Sequence, residues 1–343
     1  MRTKPATIKD VAQESGVSTA TVSYVLNNGP RRVDPGTRQR VLGVMERLQY
    51  HPSTMARGMS RKHLDCIGVV FPQPYPRLVA DSYFSDILDG IIHVATERGQ
   101  NVTLYTGLEW RGQASLPAFR DRRVDGLLLI APLTDSGIVP ALIETSVPFV
   151  LIDSTSENAQ INSVDIDNAD AALQVVGHLA ALGHRRIALL GGQANSPSTR
   201  PRRLGFEQAM AQHGLTLDPA LMIEGTYTRE WGCEGMGRLL DLPNPPTAVF
   251  AGGDGIAAGA YQACTDRGLS VPEDLSVVGF DDAPYARTLT PPMTTVHHPL
   301  TRIGATAATL LLDCLQCPGD DCPATQIVLP TDLIVRESTA APR

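Results

Sequence analysis

What this 343-residue sequence lacks narrows its function first. It has no apolar run approaching the ~20 residues that span a bilayer. Its opening, MRTKPATIKD, holds no apolar stretch of the kind a secretory leader needs, so a cytoplasmic protein is expected. Six cysteines, at 66, 233, 264, 314, 317 and 322, lack the spacing of a secreted disulfide framework. Cys314, Cys317 and Cys322 contain one CxxC, but a structural zinc takes four ligands and no histidine lies in that segment; free thiols and no metal are expected. No Walker motif, G-x-S-x-G elbow or H-E-x-x-H occurs. The glycines from Gly253 to Gly259 have the wrong spacing for a dinucleotide fingerprint. Neither catalysis nor a cofactor is expected.

What is present is unevenly distributed. The net charge is -7, yet residues 1–62 hold 11 Lys and Arg against 4 Asp and Glu, and the remainder hold 18 against 32. A small basic head on a large acidic body suits a head that meets phosphates. Within that head, TIKDVAQESGVSTATVSYVLNN (Thr7 to Asn28) reads as two short helices around a tight turn. Thr7 with Asp10 resembles a capping box, Gly16 suits a left-handed helix end, and Ser18 suits the cap of the next helix. Val11, Ala12, Val22, Val25 and Leu26 should pack inward, leaving Thr19, Ala20, Ser23 and Tyr24 outward. This is the pattern of a helix-turn-helix whose second helix enters a DNA major groove. Asp34-Pro35 should start a third helix whose Val41, Leu42, Met45 and Leu48 close the core, with Arg38, Arg40 and Arg47 placed for solvent or phosphate. The segment YHPSTMARGM after it is too short to be helical alone.

These two stretches resemble the lactose repressor/galactose repressor family of bacterial transcription factors, with its TIKDVAxxAGVSxxTVSxVLN head and Y-x-P-x-x-x-A-R-x-L hinge. The resemblance implies a helix-turn-helix domain over 1–49, a hinge helix over 50–62 and a ligand-binding, dimerising core over 63–343. It implies DNA contacts from Thr7, Ser18, Thr19, Ala20, Thr21, Ser23, Tyr24 and Asn27 in the head, and from Met55, Ala56 and Met59 in the hinge. Met59 stands where the family has a Leu that wedges a minor-groove base step. Tyr24 stands where Arg is commonest, so bidentate guanine reading is lost there.

Beyond Lys62, continuous apolar runs such as GLLLI (126–130) and IALLG (187–191) alternate with amphipathic stretches. This implies parallel sheets covered on both faces, most naturally two doubly wound α/β lobes with a ligand at the carboxyl ends of the strands. Residues 178–192 and 274–300 resemble the family's periplasmic-binding-protein-like core, which implies three crossings between lobes, placed near 163, 293 and 323. The lobes are then 63–163 with 294–323, and 164–293 with 324–338. Residues 330–343 are read as a polar tail. With no C-terminal Leu heptad, a homodimer is expected, reading a palindromic operator.

Polar groups just past strand ends are the candidates for a cleft: Asp153, Ser196, Ser198, Arg200, Arg202, Tyr227, Asp254, Asp281 and Asp282. A guanidinium facing a carboxylate grips vicinal hydroxyls, and an aromatic ring stacks on a sugar face. By position, the resemblance assigns Arg200 and Asp281 to the effector's hydroxyls, with Asp153 and Tyr227 lining the site; Ser196 and Ser198 are candidates from their place in the loop after IALLGG. The resemblance assigns Tyr83 and Phe84 to an aromatic wall and His298 to the rim. For Asp254 and Asp282, capping of the next helix is the preferred reading. Gly253 replaces the family's usual Asn and implies a roomier site. The expected function is a sequence-specific repressor of carbohydrate-metabolism genes, released from its operator by a sugar or glycoside. The alternatives are a corepressor-dependent regulator like the family's purine-responsive member, or a solute-binding protein without DNA.

Overall fold

The structure, a computed structural model, describes residues 6–27, 33–50, 63–71, 81–106, 110–121, 123–156, 158–317 and 323–343. The expected hinge from 51 onward, with Met55, Ala56 and Met59, lies outside these residues, as does Cys322. The chain divides into two compact units, Met1–Asp65 and Cys66–Arg343.

The first unit is three helices around six buried apolar side chains, Val11, Ala12, Val22, Val25, Val41 and Val44. Helix α1 (Ile8–Ser15) starts on the full Thr7/Asp10 capping box and ends on Gly16 at φ 65°. Helix α2 (Thr19–Asn27) follows after a three-residue turn, and Ser18 Oγ accepts the Thr21 amide at 3.1 Å. Helix α3 (Pro35–Arg47) is capped by Asp34. Two details depart from expectation. Leu42 is 45% exposed and Val44 takes its inward place. Arg40 donates to the Ser15 carbonyl and Arg47 pairs with Glu14, so both tie α3 to α1.

The second unit holds two six-stranded sheets. The first has the order β11-β5-β4-β3-β1-β2, all parallel, from β1 (Cys66–Val70), β2 (Asn101–Tyr105), β3 (Gly126–Ile130), β4 (Phe149–Ile152), β5 (Asn162–Ile166) and β11 (Gln326–Leu329). The second has the order β12-β10-β9-β8-β6-β7, from β6 (Ile187–Gly191), β7 (Met222–Glu224), β8 (Ala248–Ala251), β9 (Ser276–Asp281), β10 (Thr294–His297) and β12 (Asp332–Ile334). Only β12 among these runs antiparallel to its neighbour. Apolar strands such as β3 and β6 are buried along their whole length because helices cover both faces. Around the first sheet lie α4 (Ser82–Glu97), α5 (Gly112–Phe119), α6 (Ile138–Ile143) and α11 (Leu300–Gln316). With the second go α7 (Asn168–Ala181), α8 (Thr199–Gln212), α9 (Arg229–Leu240) and α10 (Asp254–Asp266). Helices α4 and α11 touch backbone to backbone: a Cβ at Gly90 would stand 2.0 Å from the Thr301 carbonyl oxygen.

The lobe boundaries fall later in the chain than expected. The crossings lie between β5 and α7, between β10 and α11, and between β11 and β12, each a few residues beyond the expected 163, 293 and 323. Strand β10 therefore belongs to the second sheet and β11 to the first. The reason is that β5 (NSVDI) and β10 (TTVH) are largely polar in sequence, and β12 (DLI) is only three residues long. Thr294 and Thr295 are fully buried, but Ser338 Oγ accepts the Thr294 amide and Asp254 accepts the Thr295 hydroxyl, so the strand hides no unmet polar group. The C-terminal segment is likewise not a free tail: β12 joins the sheet, Ser338 is fully buried, and His184 Nε2 meets the Ala340 carbonyl at 2.9 Å.

Candidate functional site: an outward helix and an inward cleft

In the head, helical phase sorts the side chains. Val22 and Val25 of α2 are buried, while Ser18, Thr19 and Ala20 are exposed and Thr21, Ser23 and Tyr24 half-exposed. The N-terminal end of α2 thus presents small polar groups, a methyl and one phenol, a set suited to base edges. Thr7 is exposed but spends its hydroxyl on its own helix start, donating to Asp10 at 2.7 Å. Asn27 is the last residue of α2.

In the body, the carboxyl ends of the two sheets face each other, and the polar groups converge there. Asp153 follows β4 in the first lobe and Asp281 ends β9 in the second. His298, at the crossing after β10, lies between them: Nε2 is 3.4 Å from Asp153 Oδ1, and Nδ1 is 3.3 Å from Asp281 Oδ1. The first contact is an ion pair without hydrogen-bond geometry, since neither atom has a hydrogen-bond partner. His298 was placed at the rim by its sequence position. It is instead fully inside, with its ring edge-on to Phe280, centroids 5.8 Å apart. Tyr83, at the start of α4, donates its hydroxyl to Asp153 Oδ2 at 2.5 Å. Phe84 turns the other way, into the first lobe's core against Phe71, so of these two rings Tyr83 is the one at the cleft.

The arginine differs from expectation. Arg200 is exposed, because α8 begins at Thr199 and buries the 199/202/205/206 face. Arg202, one of the polar groups past β6 but not the one matched by position, points inward. Its Nε donates to Asn168 Oδ1 at 2.8 Å and its Nη1 to the Gly252 carbonyl at 2.6 Å, and its guanidinium lies 3.5 Å over the Phe280 ring. Tyr227 lies flat on Gly192, where a Cβ would stand 2.1 Å from the ring, and its hydroxyl meets Ser198 Oγ and Thr199 Oγ1, each at 3.0 Å. Ser196 joins this chain through Ser198 at 3.3 Å. Gly253 does not leave open room: its Cβ position is 3.2 Å from the same Tyr227 ring. Asp254 and Asp282 cap no helix. Asp254 accepts the Ala283 amide and the Thr295 hydroxyl, and Asp282 pairs with Arg336, Arg287 and His297.

The electrostatics follow from burial opposed by opposite charge. Burial works against His298's charge, but Asp153 and then Asp281 overcome it and push the imidazole up to about 9. Against its own burial, Asp153 is held well below the usual carboxylate range by His298 and Arg202. Asp165, at the end of β5 and missed in the sequence because β5 itself was missed, is pushed up to about 8 by burial and by the charge of Asp153. Near neutral pH the cleft therefore holds two cations, His298 and Arg202, beside ionised Asp153 and protonated Asp165. The backbone at Asp281 has φ 119° and at Asp153 φ 51°; strain of ~1–3 kcal/mol of this kind persists where the surroundings enforce it, as at ligand clamps.

A helix-turn-helix head followed by a two-lobed body with a buried polar cleft defines a class, the DNA-binding regulators that sense a small molecule. The comparisons with known proteins specify it further. Residues 7–53 match the model of bacterial regulatory proteins of the lacI family, and residues 176–339 that of the periplasmic binding protein-like domain. The chain is 34% identical to catabolite control protein A of Priestia megaterium over 97% of its own length and 99% of that protein's. It is similar to the lac repressor dimer bound to operator and the anti-inducer ONPF, with TM-score 0.83, 32% identity and coverage of 98% and 100% of the two chains. It is similar also to a transcriptional regulator CelR–cellobiose complex, with TM-score 0.74, 32% identity and coverage of 97% and 99%. The chain belongs to the lacI family of bacterial regulatory proteins, and it is a DNA-binding transcriptional regulator. Among the described residues no group of His, Cys, Asp and Glu could hold a metal, and no helix is long and apolar enough to cross a membrane.

Proposed function

We propose that the protein is a cytoplasmic, homodimeric repressor without catalytic activity, in which two heads grip a palindromic operator and the cleft takes a hydroxyl-rich small molecule, a sugar or glycoside. The observation that supports this is the convergence of Asp153, Asp281, His298 and Arg202 from both lobes on one buried point beside Tyr83 and Tyr227. Carboxylates accept from hydroxyls, the guanidinium donates to them, and the rings cover an apolar sugar face. Because the groups come from both lobes, an occupant that bonds them all favours one lobe angle over others, which is the differential affinity that a population shift requires. Coupling to DNA is then reciprocal: an effector that weakens operator binding by some factor is itself weakened by the operator by the same factor.

The test is fluorescence anisotropy of the full chain on a two-fold-symmetric operator oligonucleotide, titrated with a panel of sugars and nucleosides. Release by one panel member is expected. Tighter binding on addition would make the effector a corepressor, and no retention of any such duplex at low salt would overturn the reading.

A further inference from the structure

Each polar group that lines the cleft is already engaged by the chain itself. His298 stands between Asp153 and Asp281, and Tyr83 holds the second Asp153 oxygen. Arg202 is spent on Asn168 and Gly252, and Tyr227 on Ser198 and Thr199. Asp153, Ser198, Arg202 and His298 are at most 5% exposed. An effector reaches them only after the lobes part.

What opposes parting lies at the mouth. The three crossings lie on β5, β10, β11 and β12, the two outermost strands at one edge of each sheet. The loops that follow β3 and β6 lie two and three strands further across, roughly 10–14 Å from that edge at the usual strand spacing. A rotation of one lobe about the crossings therefore separates these loops. They are bonded to each other. Asn195 of the second lobe accepts the Thr134 amide at 2.9 Å and the Thr134 hydroxyl at 3.2 Å on its carbonyl oxygen. Its side-chain nitrogen donates to both carboxylate oxygens of Asp135, at 3.0 and 3.1 Å. Gln193 donates to the Asn195 side-chain oxygen at 2.8 Å, fixing the amide's orientation. Inside, by contrast, closure is imperfect. Asp153 Oδ1 and His298 Nε2 face each other at 3.4 Å, both buried and neither with a hydrogen-bond partner. A hydroxyl set between them donates to the carboxylate and accepts from the imidazole, so opening gives an effector two bonds that the closed form leaves unmade.

We propose that Asn195 and Asp135 form a latch that holds the effector-free cleft shut, so that the ease of breaking it sets effector affinity. This rests on the cleft being the effector's seat. With the latch made, only the open fraction of the protein binds, and the apparent affinity is reduced by that fraction. Weakening the latch then tightens effector binding, although neither residue is among the groups that hold the effector.

The experiment compares the full-length wild type with Asn195→Asp, Asn195→Ala and the double variant Asn195→Asp/Asp135→Asn. Asn195→Asp sets two like charges against each other across the mouth. The double variant restores an amide facing a carboxylate with the two exchanged. Hydrogen exchange at the Thr134 amide, with no compound added, reads the latch itself. Protection of at least tenfold is expected in the wild type, its loss in Asn195→Asp, and its recovery to within threefold in the double variant. Calorimetric titration with D-ribose, D-glucose, cytidine and cellobiose reads the consequence. A compound that binds the wild type should bind Asn195→Asp at least fivefold more tightly and Asn195→Ala at least twofold more tightly, with the double variant near wild type. Misfolding produces neither tighter binding nor rescue, and should Asn195→Asp fail to fold, Asn195→Ala carries the same test. A Thr134 amide that exchanges freely in the wild type overturns the proposal, as does a compound that binds the single variants no more tightly than the wild type. If none of the four binds any of these proteins, the sugar-like effector of the proposed function fails and exchange alone decides the latch: loss and recovery of protection support it, and unchanged protection overturns it.

Discussion

The head and the cleft place their working groups in opposite directions. In the head the apolar side chains of α2 face in and the polar ones face out, so function is carried by what the core does not use. In the body it is the polar groups that are buried: Asp153, Asp165, His298 and Arg202 are each at most 5% exposed. An exposed recognition surface is specified one residue at a time along one helix. A buried polar cluster is specified jointly, because each charge there is stable only beside its partners. Substitutions in the head should therefore weaken DNA binding and leave the cleft alone, whereas substitutions in the cleft should alter folding stability and ligand response together.

The largest effect sharpens this contrast at two neighbouring arginines. Arg202→Met leaves the buried Asn168 side-chain oxygen and Gly252 carbonyl without their donor and removes the cation over Phe280; leaving a buried polar group unmet costs ~1–3 kcal/mol each, and loss of effector response in the anisotropy assay is expected. Arg200→Ala, two residues away, should behave as wild type. Equal losses from both would put the cleft on the wrong face of α8. Next in size, Tyr24→Ala should weaken operator binding by ~1 kcal/mol, the scale of a single hydrogen bond rather than a bidentate pair, with effector affinity unchanged by calorimetry.

How much of this was legible in the sequence follows the same division. The head's helices, caps and core could be read almost residue by residue, because helical phase and capping are local properties. In the body, the apolar strands β3, β4, β6 and β8 stood out, but β5, β10 and β12 did not. NSVDI and TTVH look like loops until their partners, Asn168 for Asp165 and Asp254 for Thr295, are known. The site was read unevenly for the same reason. Asp153, Asp281, Tyr83, Ser198 and Tyr227 were named and lie together. Arg200 is the residue that the resemblance matches to the effector's arginine, but α8 starts at Thr199 and its phase turns Arg202 inward instead. Asp165 was missed with β5, and Asn168 with the start of α7 just after it; Phe84, matched to the aromatic wall, packs in the core.

A pH series gives a smaller effect, on the cleft alone. His298 has its ordinary value of 6.5 raised to about 9, so the stability it contributes is complete below 6.5 and is lost as pH rises through 9. Asp165, raised to about 8, binds its proton in the fold but not in the unfolded chain between about 4 and 8, so it too makes stability fall as pH rises across that window. Chemical denaturation between pH 6.5 and 9 should show declining stability, and His298→Gln should flatten the slope. A slope that persists undiminished in both His298→Gln and Asp165→Asn would place the titrating groups elsewhere. The smallest effect belongs to the head: Thr7→Ala removes one half of the capping box and should lower its stability by ~1 kcal/mol, seen as an earlier melting of the helical signal with no change in effector binding.

The central claim is that what occupies the cleft sets the grip of the heads, and one measurement addresses it directly. Operator affinity of the full-length protein is measured by anisotropy across the sugar and nucleoside panel, in the wild type and in Arg202→Met. At least one compound is expected to change wild-type operator affinity by tenfold or more while leaving that of Arg202→Met unmoved. A compound that shifts both proteins equally, or a panel that shifts neither while calorimetry shows a compound bound, would contradict it.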